Sequence, residues 1–343
     1  MKRVFSSYAV ALAAVVWVLS ACAGGTNLSP APSVAGAESA AVSLIPVRHL
    51  DVRVSSAKPL SSLLAEKSGI YVASFGAGAS IDGYRNNPRR HPRPFCTVQG
   101  ANDSNGIAVD PNGDLIVPTG GPKQVLVFKG PKMCGPLDGT IDDPWGQPSD
   151  AASNDALHGP IAVANVFDTN AAGSIAVCTR SDGCTTNLTN ANMYEVAGVA
   201  MARNGDCWAS ATTSGGTATL TYFKGCAGAG ETATGFLNAY YGGLDIDSHG
   251  NLVSVSAFDA NLYVYKGCDP VCTLAGGPFA LHGESVFAHL NRAGTKLVAG
   301  DYEDSVVDMY AFGSSGLQYL YSFGSSSGGY ILEGVAFNPR SKE

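Results

Sequence analysis

The amino-acid sequence predicts an all-β protein built from repeated units, and three observations support this fold class. A short phrase recurs along the chain: an apolar strand, a tight turn rich in Asn, Asp and Gly, and a second apolar strand. Charged residues make up 14 % of the chain, whereas soluble domains average roughly 25 %. Glycine is abundant, at 42 of 343 residues, as expected for many short strands joined by turns.

The repeated phrase is clearest at residues 106–117, which read Gly-Ile-Ala-Val-Asp-Pro-Asn-Gly-Asp-Leu-Ile-Val. Related copies occupy residues 198–209, 243–254 and 285–299, and a degenerate copy lies near Ala151. The first strands start 42 to 49 residues apart, at Ile107, near Ala151, and at Val199, Leu244, Val286 and Val335. A period of about 40–50 residues is typical of a four-stranded propeller blade.

The two ends of the repeat region predict how the structure closes. The first unit, near Gly69, lacks its own first strand, while an extra first strand begins at Val335. Together these pieces make one complete blade, which joins the five blades that start within the chain. Closing a ring in this way removes an exposed strand edge. The sequence therefore predicts a six-bladed β-propeller over residues 68–343, closed by N-terminal strands plus the C-terminal strand.

The N-terminus has the pattern of a targeting segment. Lys2 and Arg3 precede an apolar run over residues 8–19, and Leu-Ser-Ala-Cys then ends at Cys22. This sequence resembles the bacterial lipobox, in which the peptide is cut before the Cys and the Cys is acylated. Residues 1–21 are thus predicted to be a lipoprotein signal peptide. The alternatives are a plain secretory signal with an unrelated Cys, or a short membrane helix, for which the run is too short.

The lipobox resemblance implies a partner and a location. Acyl chains on Cys22 would hold the protein to a lipid bilayer, and residues 22–67, rich in Ala, Ser and Pro, are predicted to be a tether between membrane and propeller. The predicted location is the bacterial cell envelope, outside the cytoplasm. Because Ala23 and not Asp follows Cys22, the pattern resembles outer-membrane sorting where two membranes are present.

Eight cysteines remain after Cys22, and an even number outside the cytoplasm indicates disulfide bonds. Two pairs are local in sequence, and a third is expected on neighbouring strands of one repeat. The last two cysteines could bridge adjacent repeats, but their pairing stays open. The pairs are Cys178 with Cys184, Cys268 with Cys272, and Cys207 with Cys226, leaving Cys96 and Cys134. Zinc binding is disfavoured because no second close pair with His ligands accompanies the Cys-x-x-x-Cys spacing.

The repeated phrase resembles the core of NHL-repeat propellers and of the related gluconolactonase and regucalcin family. The resemblance covers about residues 68–339. It implies a six-bladed propeller. It implies little about activity, because such propellers include binding proteins, scaffolds and enzymes.

The residues just before each first strand are expected at one mouth of the axial channel. These positions read Asn105, Ala197, Gly242, Glu284 and Glu333. Three of them, Glu284, Glu333 and Asn105, fall on consecutive blades and offer carboxylate and amide oxygens. Such ligands suit Ca²⁺ or Mg²⁺, so the sequence predicts a divalent-metal site there. The alternative is that these groups only solvate the rim and satisfy loop N–H groups.

The family resemblance adds to this metal hypothesis. In gluconolactonase-like proteins a Glu before the first strand, an Asn and an Asp hold the divalent ion, and the contexts of Glu333 and Asn105 are similar. The family's Asp general base has no clear match. Asp301, Glu303 and Asp304 are the nearby candidates, although their side of the ring is not assigned by the sequence.

Other motifs are interpreted as structural or as binding surfaces. The Asn/Asp-Gly segments lack the ligand spacing of an EF-hand and are interpreted as hairpin turns. His282 is the histidine expected nearest the mouth, and His91 lies in a basic loop over residues 85–93 that could contact an anionic polysaccharide or lipid headgroups. No Gly-x-Ser-x-Gly hydrolase motif is present. With net charge −7 and no basic stripe, nucleic acid is not expected as a partner.

The leading functional hypothesis is a membrane-anchored binding or interaction module whose ligand is a protein, a glycan or a small molecule. The alternative is a divalent-metal-dependent, lactonase-like hydrolase with its site at the channel mouth. A third possibility is a structural envelope protein with an empty channel. The sequence favours a non-catalytic role without deciding the question, because it contains no coherent catalytic set.

Overall fold

The computed structural model describes residues 54–56, 69–74, 80–85, 93–99, 101, 104–154, 158–168, 172–313, 316–324 and 332–338. The chain divides into two units, Met1–Asp51 and Val52–Glu343, and every described residue belongs to the second unit. The predicted signal peptide, Cys22, and nearly all of the predicted tether lie outside the described residues. No helix within the described ranges is long and apolar enough to cross a membrane.

The described residues form six small antiparallel sheets arranged as a six-bladed β-propeller, as the sequence predicted. Blade 1 is composite. Its strands are β25 (Leu332–Phe337), β2 (Gly69–Ser74), β3 (Ser80–Arg85), β4 (Cys96–Gln99) and β1 (Val54–Ser56), in order from the channel outwards. The pairing of β25 with β2 closes the ring with both ends of the chain. Strand β1 falls within residues 22–67, assigned to the tether, and pairs with β4.

The other five blades each have four strands in chain order. Blade 2 contains β5 (Ala108–Val109), β6 (Leu115–Thr119), β7 (Gln124–Phe128) and β8 (Leu137–Asp142). Blade 3 contains β9 (Gly146–Ser153), β10 (Ile161–Asp168), β11 (Ser174–Thr179) and β12 (Gly183–Leu188). Blade 4 contains β13 (Glu195–Met201), β14 (Cys207–Thr212), β15 (Ala218–Phe223) and β16 (Glu231–Thr232). Blade 5 contains β17 (Leu244–Ile246), β18 (Leu252–Ser256), β19 (Asn261–Gly267) and β20 (Cys272–Ala280). Blade 6 contains β21 (Ser285–Leu290), β22 (Lys296–Asp301), β23 (Val306–Gly313) and β24 (Gly316–Gly324). Two short 3₁₀ turns occupy Lys224–Cys226 and Ala257–Asp259.

The hydrophobic core is divided into six clusters, and each lies between two neighbouring blades. The cluster between blades 6 and 1, for example, joins Val298 and Met309 to Ile70 and Val335. Alternate side chains of a strand point to opposite faces, so each blade contributes one apolar face to each neighbour. A blade by itself would leave both faces in water, and burial is complete only in the closed ring.

The first hairpin turn of blades 2, 5 and 6 is held by an Asx side chain, as predicted for turns rather than calcium loops. The Oδ1 atom of Asp110 accepts the N–H groups of Asn112 and Asp114 at 2.8 and 2.9 Å. Asp247 and Asn291 hold the corresponding turns of blades 5 and 6 in the same way. These oxygens are occupied by backbone groups, which accounts for the recurring Asx residues.

Four disulfide bonds cross-link the propeller, and their pairing includes the pair that the sequence left open. Three lie within single blades: Cys178–Cys184, Cys207–Cys226 and Cys268–Cys272. The fourth, Cys96–Cys134, joins β4 of blade 1 to the β7–β8 loop of blade 2 across 38 residues. It therefore ties the composite blade to its neighbour.

Candidate functional site

An axial cavity of about 630 Å³ opens where the six inner strands end. The inner strands are β25, β5, β9, β13, β17 and β21, and each contributes residues to its wall. The penultimate residue of every inner strand lines it, and these residues are Ala108, Ala152, Ala200, Asp245, His289 and Ala336. Four blades thus place a methyl group there and leave the axis open, whereas blades 5 and 6 place Asp245 and His289.

Asp245 and His289 form a polar pair at the cavity. The Nδ1 atom of His289 lies 3.5 Å from Oδ2 of Asp245. Asp245 also accepts the N–H groups of Ile246 and of Leu290, both at 2.7 Å. Leu290 belongs to β21, the inner strand of blade 6. The edge of β21 that faces the channel has no partner strand among the described strands. The Asp245 carboxylate therefore satisfies an inner-edge N–H group and orients His289 at the same time.

Asp150 repeats this arrangement two blades earlier. It is fully buried two residues before Ala152 on β9, and its Oδ2 atom accepts the N–H group of Val199 in the next blade at 3.0 Å. Its Oδ1 atom has no hydrogen-bond partner among the described residues, and neither has the Nε2 atom of His289. Two buried polar atoms near the axis therefore keep an open hydrogen-bonding capacity.

The charges of these three residues affect one another. Burial raises the pKa of Asp150 to about 7, and the nearby His289 opposes this rise. Burial has the largest single effect on His289 and lowers its pKa, but the hydrogen bond and charge of Asp245, together with the charge of Asp150, raise it above its usual value. A histidine between two carboxylates favours the protonated form. His289 then carries an N–H donor on Nε2.

Charged residues surround the cavity rim, and two of the acidic ones, Asp206 and Asp247, are already engaged, whereas Asp269 is exposed. Asp206 accepts hydrogen bonds from the Tyr222 hydroxyl group at 3.0 Å and from the Gly225 N–H group at 2.6 Å. Asp247 holds its own turn, as described above. Arg292, by contrast, is exposed and makes no ion pair with any residue of the described ranges. The groups that remain open at the cavity therefore include the Arg292 guanidinium group and the Asp269 carboxylate.

The residues of the predicted metal site lie toward the other end of the inner strands. Leu332 pairs with the last residue of β2, and Ser285 pairs with the last residue of β22. Glu333 follows Leu332, whereas Glu284 precedes Ser285, so the two carboxylates are two positions apart in register. Aligning the copies on Val286 and Val335 therefore did not match the strand pairing, which places Ser285 opposite Leu332 and gives both strands a register shift at the same point.

The backbones of Asn105 and Glu333, however, lie close together. Gly334 packs so closely on the Asn105 carbonyl oxygen that a Cβ atom there would lie 2.1 Å from it. Glu333 is 3 % exposed, and burial alone raises its pKa to about 8, with no contribution from Glu284. Glu284 is half-buried, and its carboxylate accepts a hydrogen bond from the Tyr302 hydroxyl group. The three-residue metal site stays a prediction.

The structure also locates the remaining candidates. His282 and Asp301 meet in blade 6, where burial raises the pKa of Asp301 to about 6. The backbone N–H groups of Glu303 and Asp304 bind the carboxylate of Asp301, so these two acids belong to its turn. His91 lies outside the described residues.

Sequence reasoning missed the polar residues near the axis. Asp150 lies in the degenerate copy of the phrase, and His289 lies inside an otherwise apolar strand. Aligning the copies on their Asx turns, rather than on their first apolar residue, would have placed Asp245 and His289 opposite Ala108. That alignment would have identified Asp245 and His289 as the polar exceptions among the inner-strand positions.

Fold and site together define a six-bladed β-propeller with a polar axial cavity. No family model and no curated protein matches the chain. Among solved structures, streptogramin B lyase is similar at 12 % identity over 75 % of this chain and 74 % of that one, with a TM-score of 0.49. The β-propeller domain of Myceliophteria thermophila Cps50 (Swd1) is similar at 9 % identity over 66 % and 72 % of the two chains, with a TM-score of 0.46. At these identities the similarity concerns the fold alone.

Proposed function

We propose that this protein is a membrane-anchored, extracytoplasmic binding protein whose ligand occupies the axial cavity. The observation that carries the proposal is a cavity of about 630 Å³ walled by all six inner strands, with small side chains on four blades and polar ones on two. Small-molecule sites typically have volumes of about 300–1,000 Å³ and a few convergent polar groups.

The open groups of the cavity support a ligand with an anionic or strongly accepting group. His289 has a buried Nε2 atom without a hydrogen-bond partner among the described residues, Arg292 has an exposed guanidinium group, and Asp245 and Asp247 already accept hydrogen bonds from the backbone. A carboxylate entering the cavity would meet donors, and charge-assisted hydrogen bonds of this kind are among the stronger ones. The proposed ligand class is therefore a small polar carboxylate.

Binding of matched ligand pairs tests this proposal. Calorimetric titration of the purified full chain with a sugar acid such as glucuronate, and with glucose as the neutral counterpart, should show binding of the acid only. His289→Gln and Arg292→Gln should each weaken it about 10-fold or more, the loss of one charged hydrogen bond. Lys132→Gln removes an exposed positive charge in the β7–β8 loop and should have no effect. Equal affinity of the three variants would refute the cavity as the binding site.

The anchoring part of the proposal rests on the lipobox resemblance at Cys22. Acylated chains should fractionate with membranes, and Cys22→Ala should release the protein into the soluble extracytoplasmic fraction. Retention of Cys22→Ala in the membrane would overturn the lipid anchor and leave the cavity proposal intact.

The hydrolase alternative keeps Asn105 and Glu333, whose backbones lie close together, as its candidate oxygen ligands. Its test is metal analysis of the purified protein and the change in melting temperature on adding Ca²⁺ or Mg²⁺. A ligand that binds only the folded state must raise that temperature. Absence of both bound metal and a shift would remove this alternative.

A further inference from the structure

A second polar cluster, independent of the axial cavity, lies in blade 6 and consists of His282, Asp301 and Asp308. We call it the blade-6 cluster. One ligand atom from each residue lies within 4.8 Å of the other two, and Nδ1 of His282 is 3.6 Å from Oδ2 of Asp308. Both carboxylates are fully buried, whereas the His282 side chain is 47 % exposed. The cluster is therefore anchored in the blade and accessible from solvent on the histidine side.

The cluster has negative charge that the protein does not neutralise. Asp301 uses Oδ1 to accept the N–H groups of Glu303 and Asp304 at 3.0 and 3.2 Å. Its Oδ2 atom is buried and has no hydrogen-bond partner in the described part of the chain. Among the described residues, no Lys or Arg side chain pairs with Asp301 or Asp308. A buried carboxylate in this state is costly unless a cation accompanies it.

A comparable cluster elsewhere in the protein shows how such charge is neutralised. Asp110, Asp114 and His158 also come within ligand distance of one another. There, Nη2 of Arg180 lies 2.9 Å from Asp110 and 2.7 Å from Asp114, so a guanidinium group occupies the centre. The blade-6 cluster has the same residue types without an internal cation, which indicates that its cation comes from solution.

The turn cap made by Oδ1 of Asp301 does not explain its unpartnered Oδ2 atom or the presence of Asp308 and His282 beside it. In each blade, the strand next to the inner strand ends in a short polar residue. From blade 1 to blade 6 these residues are Ser74, Thr119, Asp168, Thr212, Ser256 and Asp301. Blade 1 contains a counterpart of the hydrogen bond between Tyr310 and Asp308. There the Tyr84 hydroxyl group donates to Asp82 at 3.1 Å, and in blade 6 the Tyr310 hydroxyl group donates to Asp308. Blade 1 does so with Ser74 in place of Asp301. The blade geometry is therefore compatible with a single carboxylate at this place, whereas blade 6 has two.

We propose that His282, Asp301 and Asp308 bind one divalent transition-metal ion, with Zn²⁺ as the preferred ion. One imidazole nitrogen and two carboxylate oxygens are a donor set that suits Zn²⁺ and leaves a position for water or a further ligand. Tetrahedral zinc places its ligand atoms about 3.4 Å apart, close to the 3.6 Å between His282 and Asp308. Ca²⁺, which prefers six or more oxygens, fits this set poorly.

Surrounding contacts orient the three ligands. The Tyr310 and Ser322 hydroxyl groups donate to Asp308 at 3.1 and 2.5 Å. The Tyr319 ring stacks on His282, with ring centroids 4.6 Å apart and an interplanar angle of 15°. Such outer contacts fix ligand orientation in metal sites.

Calorimetric titration of the chelator-treated full chain with Zn²⁺ alone tests the site. One Zn²⁺ per chain should bind. His282→Ala, Asp301→Asn and Asp308→Asn should each weaken binding about 100-fold or more, because loss of a residue that only contacts a metal ligand already costs about 10–100-fold. Asp82→Asn, the blade-1 counterpart of Asp308→Asn, should bind as the wild type does. His282→Ala keeps the test decisive if an Asp variant fails to fold, since its side chain is half exposed.

Three outcomes would overturn the proposal: no Zn²⁺ binding, equal Zn²⁺ binding by His282→Ala and the wild type, or tighter binding of Ca²⁺ than of Zn²⁺. None of them bears on ligand binding in the axial cavity, which the His289 and Arg292 variants test separately. The visible spectrum of Co²⁺ added in place of Zn²⁺ provides a second readout. A tetrahedral Co²⁺ band should be present in the wild type and in Asp82→Asn and lost in His282→Ala.

Discussion

Glu333 on the inner strand β25 should make the stability of this protein fall as pH rises, and Glu333→Gln should remove that fall. The carboxyl group is 3 % exposed, and no hydrogen bond to it is formed within the described ranges. Burial raises its pKa from 4.5 to about 8. Gln has the shape of a protonated Glu and cannot ionise, so the substitution removes the titration and leaves the packing almost unchanged.

The magnitude follows from the raised pKa. The unfolded chain releases the Glu333 proton near pH 4.5, whereas the folded protein keeps it up to about pH 8. The stabilising contribution is therefore complete below pH 4.5 and is lost as pH rises to about 8. At about 1.4 kcal/mol per pH unit, the full loss is about 5 kcal/mol. Glu333→Gln should match the wild type near pH 4.5 and be more stable by several kcal/mol at pH 9.

Urea denaturation at pH 5, 7 and 9 in the presence of a chelator measures this difference. The chelator keeps any divalent ion from neutralising Glu333. The free energy of unfolding of Glu333→Gln minus that of the wild type should increase at each step. Glu231→Gln, at an exposed position, is the control for simple loss of a negative charge. A difference between Glu333→Gln and the wild type that is the same at pH 5 and pH 9 would show that burial does not hold the proton on Glu333.

Further predictions concern the links between blades and the metal dependence of stability. Arg180→Met should lower the free energy of unfolding by about 3 kcal/mol because two buried carboxylates lose their cation, whereas Asp138→Asn removes a contact at 3.5 Å with a partly exposed partner and should cost less than about 1 kcal/mol. Equal losses in urea denaturation would contradict this. Replacing Cys96 and Cys134 by Ala should cost about 4 kcal/mol, since it opens a 38-residue loop. A loss below about 1 kcal/mol under oxidising conditions would mean that packing alone holds blade 1 to blade 2. If Asn105 and Glu333 do bind a divalent ion, millimolar Ca²⁺ or Mg²⁺ should raise the melting temperature of the wild type, and an unchanged temperature would count against it.

The repeat pattern predicted the fold because each blade is encoded locally. Apolar alternation predicts a strand, and Asx and Gly residues predict the turn, so a phrase such as residues 106–117 specifies its own hairpin. The missing first strand near Gly69 and the extra one at Val335 specified the closure, and the structure confirms both. The local disulfide pairs were predictable for the same reason, since short sequence separation limits the partners.

The candidate site was less predictable because it depends on register between strands. Strand pairing places Ser285 in register with Leu332, so Glu284 and Glu333 are two positions apart, and this register is set by the pairing of β21 with β22 and of β25 with β2. The same applies to His289, which looks like a polar exception in an apolar strand until Asp245 and Asp150 are brought beside it. Their mutual effect on pKa exists only across three blades.

The sequence by itself determined the strands, the turns, the number of blades and the way the ring closes, because these follow from the period of apolar residues within one stretch of chain. It also predicts the lipid anchor at Cys22. Only the tertiary structure decided which polar side chains affect one another: Asp245 with His289 and, through its charge, Asp150, and His282 with Asp301 and Asp308. Their encounters depend on strand register and on the stacking of blades around the axis, and neither is recorded in the spacing of residues along the chain.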